Sequence, residues 1–424
     1  MSSATRESEI IQAGPTAPTE RVAVVDVLRG FAMFGILVVN MEGFSSPGYH
    51  AASGERLWTG LADRLAESLV AHGAAGKFMA MFAFLFGLGF AMMMERAEAR
   101  RISFVPIQSR RLLVLLVIGL VHGFLIFYGD ILVTYALAGF LLLLFRGWRP
   151  RTILVAAIIV NLLSFVQVEL NIARSLERPA AGQPHLEPAP PDEAAGDPRA
   201  SAEAMRQAYG HGTFGEVTRQ RVHDYLADHS EPYNIVLRRL SFFLLGLFVG
   251  RLGIFRDVAG HRMQLIRILK WALLVGVLAH VARFLLLMQG LPPWTRLLRL
   301  PTSIVGNPAL ACVYAIAVVL AFEVAAWRGR LSPLAAVGRT ALSNYLLQSL
   351  ICTTVFYSYG LALYGTVGPA AGLGLAVVIF ALQVPLSVWW VRRFRFGPAE
   401  WVWRSLTYGR RQPFRNSTER ATTG

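Results

Sequence analysis

The chain has 424 residues, 54% of them hydrophobic and only 16% charged, with a mean hydropathy of +0.48. A soluble domain carries roughly 25% charged residues, so this composition excludes a water-soluble globular protein and points to a bilayer. The net charge of +15, from 41 basic and 26 acidic residues, would suggest nucleic acid in a soluble chain. In a membrane protein it is first a question of topology, and no nucleic-acid partner is expected.

A span needs about 20 mostly apolar residues. Residues 1–20 are polar and contain proline, so they read as a disordered cytoplasmic tail and not as a signal peptide. Apolar runs follow at 22–44, 77–94, 111–128, 130–146 and 151–172, giving an N-terminal five-span half over residues 21–172. Between the first two, Leu57 to His72 is too polar to span and reads as an amphipathic surface helix. Residues 173–234 hold ten Asp or Glu and a Pro/Ala-rich stretch. That composition buries too little apolar surface to order fully, so the segment is expected as an extracytoplasmic acidic loop. Its His211, His223 and His229 lack a regular ligand spacing and read as solvated. Runs at 235–252, 268–289, 303–326, 340–362 and 368–391 form the C-terminal half, residues 235–395, and 396–424 is a basic cytoplasmic tail. Cys312 and Cys352 lie in apolar runs without CxxC spacing, so neither a disulfide nor a metal site is expected.

The expected architecture is an all-α polytopic bundle of about ten transmembrane helices, N-in and C-in. Short loops on one face, with the C-terminal tail, carry 24 basic residues. The opposite short loops hold Arg56, Arg64, Arg296 and Arg299, with Lys77 at a boundary. Basic residues favour the cytoplasmic side, where anionic lipids are their partners. The expected location is therefore a membrane, with the basic face toward the cytoplasm.

Ionisable groups within a bilayer cost roughly 2.5–3.5 kcal/mol on insertion scales, so each needs a partner or a function. Asp26 and Arg29 are three apart on one helical face and suit an ion pair. Asn40 returns to that face about three turns later. Lys77, one of only two lysines, either snorkels to water or holds a phosphate or carboxylate. His122 lies roughly 16 Å beyond Arg111 along one span. Gly129-Asp130 makes the outer turn and Tyr135 points back down the next span, so a His, an Asp and a Tyr converge. Histidine suits proton transfer near neutrality. Ser343, Asn344 and Gln348 share a face of a later span and read as helix-to-helix hydrogen bonding. No phosphate loop, zinc helix or nucleophile elbow occurs, which argues against an ATP-driven pump.

The runs DVLRGFAMFGILVVN (26–40), KFMAMFAFLFGLG (77–89), HGFLIFYGDILVTY (122–135), GRTALSNYLLQSLICTTVFYSYG (338–360) and FGPAEWVWRSLTY (396–408) occur in order. With them the chain resembles the YeiB-like family of bacterial inner-membrane proteins, from about Arg21 to Tyr408. The opening D-x-x-R-G pattern is also distantly similar to integral-membrane acyltransferases that modify sugars and surface polymers. That resemblance implies a cytoplasmic acyl donor and a small-molecule or glycan acceptor. Those enzymes usually place a catalytic His where this chain has Asn40, which leaves His50 or His122 as the base.

Two readings follow. In the acyltransferase reading, His122 oriented by Asp130 deprotonates the acceptor, while Asn40, Lys77 and Tyr135 polarise the acyl carbonyl. Arg29 and Arg111, with Asp26 beside them, receive an acyl-CoA-like donor; no resident cofactor is implied. In the transporter reading, Asp26, Arg29, His122 and Asp130 line a path for a small polar or lipidic solute. A homo-oligomer is compatible with either.

Overall fold

A computed structural model describes residues 22–47, 58–177, 198–229, 232–288 and 302–416. Helices dominate these segments, and no named strand occurs among the described residues. In order the helices are α1 (Ala23–Ser45), α2 (Leu61–Leu69), α3 (Lys77–Ala99), α4 (Phe104–Leu125), α5 (Leu132–Leu142) and α6 (Pro150–Glu177). There follow α7 (Pro198–Arg206), α8 (Phe214–Asp228), α9 (Pro232–Arg251), α10 (Arg262–Met288) and α11 (Asn307–Glu323). The last four are α12 (Ala325–Arg339), α13 (Ala341–Phe356), α14 (Pro369–Arg393) and α15 (Pro398–Tyr408).

Among the described residues seven helical segments are long and apolar enough to cross a membrane, and shorter apolar helices lie at Leu132–Phe145, Pro150–Phe165 and Ala341–Phe356. Together they account for the ten expected spans. The short α5 is stopped at its start by the tight turn through Gly129-Asp130, whose Asp130 Oδ2 accepts from the Val133 backbone N–H at 2.8 Å. A carboxylate there satisfies one of the amides that every helix start leaves unpaired.

The core gathers around α1, whose Leu28, Ala32, Ile36 and Leu37 are fully buried. It packs against α3, α12, α13 and α14, while α9 packs against α3 and α6. Helices from before and after the acidic segment therefore share one bundle. By contrast α10 presents Trp271, Leu274, Leu278 and Leu285 outward, as a lipid-facing span does. α2 exposes Leu61, Leu65 and Leu69, four apart, and packs on α14, the amphipathic surface helix expected.

Close crossings rest on glycine. A Cβ on Gly87 of α3 would overlap the Phe243 carbonyl of α9, and one on Gly246 of α9 would overlap the Phe84 carbonyl of α3. Small residues let backbones meet where lipid offers no hydrophobic drive to helix association. Gly246→Ala should therefore lose about 1–3 kcal/mol through overpacking. Gly374→Ala, at a helical glycine with open space around it, should be neutral or slightly stabilising. Thermal unfolding of both variants in detergent separates the two effects.

Two segments differ from the sequence expectation. The run between the eighth and ninth spans forms a helix, α12, although it carries Arg328, Arg330 and Pro333. Its stability is tertiary: Gly30 sits against the Leu334 carbonyl and Gly338 against the Asp26 carbonyl, so α12 lies tightly along α1. The second half of the acidic segment also folds. Thr213 and Glu216 close a capping box at the start of α8, and burial of Tyr209, Val217 and Tyr225 docks α7 and α8 on the bundle. Arg221 donates to the Leu125 carbonyl at 2.7 Å, and Tyr209 to Asp224 at 2.6 Å. These helices cover the ends of α4 and α13 away from the arginine-rich face.

Candidate functional site

α4 carries His122 inward, and the turn into α5 returns Asp130 to meet it. His122 is 0% exposed; its Nδ1 lies 2.8 Å from Asp130 Oδ1, and its Nε2 lies 2.9 Å from Ser349 Oγ of α13. Asp130 is fixed on both oxygens, by the His122 ring and by the Val133 amide. A carboxylate facing Nδ1 places a proton on that nitrogen, so in the neutral ring the Nε2 lone pair faces the Ser349 hydroxyl. The Tyr345 ring packs on the imidazole, with centroids 4.9 Å apart.

A cavity of about 270 Å³ runs from the arginine-rich face toward this trio. Its mouth carries Arg29, Arg96, Arg100, Arg111, Arg339 and Arg404, and its body is apolar, with Met33, Phe82, Leu85, Phe86, Phe90 and Leu115. Its far end is closed by Ile131, Leu132, Tyr135 and Tyr345. One aromatic ring, Tyr345, thus separates the cavity from His122. Two carboxylates line the mouth, and each is engaged. Asp26 pairs with Arg29 at 2.9 Å. Glu400 accepts from the Leu342 and Ser343 amides at 2.7 and 3.1 Å and from the Ser343 hydroxyl. Arg111 lies 4.0 Å over the Trp403 ring, and the Nε atoms of Arg111 and Arg339 are buried without an acceptor. Burial lowers the Arg404 guanidinium from its usual value, with Tyr408 and Glu400 opposing. Burial also raises the Glu400 carboxyl, with the Ser343 hydrogen bonds opposing.

Glu400 ties α15 to the start of α13 and so holds Trp403 and Arg404 at the mouth. Glu400→Ala should orphan two buried amides, at about 1–3 kcal/mol each. Glu400→Gln, which keeps an accepting oxygen, should lose less. Thermal unfolding in detergent measures the difference.

Of the residues singled out in the sequence, His122 and Asp130 meet, and Asp26, Arg29 and Arg111 share the mouth. Tyr135 does not join His122: its hydroxyl donates to the Met79 carbonyl at 3.3 Å and its ring closes the cavity beside Phe86. Asn40 is half-buried near the end of α1 and does not line the cavity. Lys77 is 1% exposed, so it does not snorkel to water, and it too stands apart from the cavity. His50 lies outside the described residues. Asn344 and Gln348 bond to Ser387 and Gln383 of α14 at 3.0 and 2.7 Å, the helix-to-helix role expected of them. Ser349 and Tyr345 escaped the sequence reading. The usable signal was their spacing, four apart on the inner face of α13.

The bundle and its gathered polar residues define an all-helical, multi-pass membrane protein. A family profile described as "Protein of unknown function (DUF418)" matches residues 249–410. The chain is 37% identical to the uncharacterized protein YxaH of Bacillus subtilis (strain 168), across 96% of this chain and 98% of that protein. It is 30% identical to the uncharacterized protein YeiB of Escherichia coli (strain K12), across 95% and 100% respectively. The chain belongs to this DUF418, YeiB-like family.

Proposed function

We propose that the protein is an integral-membrane acyltransferase of the bacterial plasma membrane, taking an acyl group from an acyl-CoA-type donor to a small-molecule or glycan acceptor. One observation carries this reading: an amphipathic cavity, arginine-lined at its mouth and apolar within, ends one ring from a buried His122–Asp130 pair. Guanidinium groups recognise phosphates by charge-assisted hydrogen bonds. An apolar body accepts an acyl chain and its thioester arm. At about 270 Å³ the cavity falls just under the roughly 300–1,000 Å³ of common ligand clefts, room for that arm with the phosphates left at the mouth. His122, oriented by Asp130, is the base.

By the positive-inside rule the arginine-rich mouth faces the cytoplasm, where acyl thioesters are made. The anionic lipids of that leaflet are the partners of the arginines outside the cavity. The test is release of CoA from labelled acyl-CoA, acetyl to medium-chain, by the purified protein in nanodiscs with candidate glycan and small-molecule acceptors. Transfer of the label to an acceptor is the expected result. Absence of turnover across that series, with solute flux in proteoliposomes, would overturn it in favour of transport.

A further inference from the structure

The His122–Asp130 pair has a third member that no base-only mechanism needs. Ser349 Oγ lies 2.9 Å from His122 Nε2, the nitrogen left over once Nδ1 has met Asp130. Ser349 is 1% exposed and one helical turn past Tyr345, the residue that closes the cavity. The two partners are 227 positions apart in sequence, so the alignment is a product of the fold and not of one helix. A serine hydroxyl against an imidazole whose other nitrogen is held by a carboxylate is the arrangement that activates serine for acyl capture on unrelated folds.

We propose that Ser349 is the nucleophile of the transfer, and that the acyl group crosses from donor to acceptor as a Ser349 ester. The proposal rests on the acyl-transfer reading above. In the first half, Ser349 Oγ bonds to the thioester carbonyl carbon while its proton passes to His122 Nε2. The carbon–sulfur bond then breaks, and the imidazolium returns that proton to the departing thiolate. In the second half, an acceptor hydroxyl gives its proton to Nε2 and attacks the ester carbonyl. Ser349 Oγ departs and takes the proton back. The Nδ1 proton stays on His122 throughout, donated to Asp130 Oδ1, and the carboxylate stabilises the imidazolium in both halves.

The Ser349 hydroxyl has a second acceptor, the Tyr345 carbonyl at 3.2 Å, the usual back-bond of a helical serine. Rotation about one bond moves the proton from that resting station to Nε2. A covalent relay also suits what surrounds the trio. The cavity with the arginine mouth ends at Tyr345, while Tyr225 of α8 covers Gly123, beside His122, on the side away from it. Donor and acceptor then need not occupy one chamber together.

An alkyl fluorophosphonate, which phosphonylates activated serines, tests this without knowledge of the natural donor. Full-length protein in nanodiscs is treated with it and mapped by peptide mass. The expected result is one adduct, on Ser349, absent in Ser349→Ala and slowed about 10²-fold or more in His122→Gln. Ser349→Cys, whose thermal unfolding should match wild type, should capture the labelled acyl group from acyl-CoA as a hydroxylamine-labile thioester when acceptor is withheld. Acyl transfer with no Ser349 adduct, or with Ser349→Ala at the wild-type rate, overturns the nucleophile and leaves the acyltransferase reading standing. A Ser349 adduct without acyl-CoA turnover supports the nucleophile and overturns that donor. Neither adduct nor turnover overturns both.

Discussion

Asp130→Asn should lower kcat for acyl transfer about 10³–10⁴-fold, the scale set by the same change in serine-histidine-aspartate enzymes. Asparagine keeps the shape and can still accept from the Val133 amide, which occupies Asp130 Oδ2 at 2.8 Å. Its amide nitrogen then faces His122 Nδ1 and donates to it. That moves the ring proton to Nε2, the nitrogen beside Ser349, so the ring can no longer accept from a hydroxyl. His122→Ala should fall about 10²–10⁴-fold for the simpler reason that the base is gone. In both variants KM for the donor should stay near wild type, because its phosphates meet arginines more than a turn away from the trio. Steady-state kinetics in nanodiscs, run beside thermal unfolding, check this. A loss of stability with unchanged kcat would make the trio a structural hydrogen-bond chain only.

The fold was legible in sequence to the extent that it follows from the bilayer. Ten apolar runs had to be helices, because lipid leaves no other partner for a backbone amide. What hydropathy does not record is packing between elements. α12 carries arginines and an internal proline, and it lies as a helix along α1 through close glycine contacts. The capping-box pattern Thr213-x-x-Glu216 was visible in sequence, but the docking of Tyr209 and Tyr225 was not.

The candidate site divides along the same line. His122 and Asp130 were legible because they sit eight residues apart around one turn. Ser349 was not, since its partner lies on a helix 227 residues away. Asn40 lies on the helical face of Asp26 and Arg29, but the last α1 residue on the cavity is Met33. Asn40 lies about 10 Å further along the helix. Helical phase predicted its direction and could not predict where the cavity stops. The arginines were read as topology, and most are. Arg96, Arg100, Arg339 and Arg404 are also drawn from α12, α15 and the end of α3 to one mouth, a convergence that loop counting cannot register.

Arg111→Gln should raise KM for an acyl-CoA donor about 10- to 100-fold with little change in kcat. A hydrogen bond to a charged group contributes about 1.5–3 kcal/mol, and 1.4 kcal/mol corresponds to about tenfold in affinity. The interaction is made in ground and transition states alike, so its loss appears in KM. Arg111 has a second role that must be separated from the first, since it lies over Trp403 and its carbonyl accepts from the Trp403 indole N–H at 2.8 Å. The backbone bond survives substitution; the ring contact does not. An acyl-pantetheine thioester, which lacks the phosphates, closes the cycle. If Arg111 binds phosphate, wild type and Arg111→Gln should use acyl-pantetheine with nearly equal KM, and the wild-type preference for acyl-CoA should shrink as salt rises. If Arg111 acts by holding Trp403 in place, the variant should weaken both donors by the same factor, and salt should leave that factor unchanged.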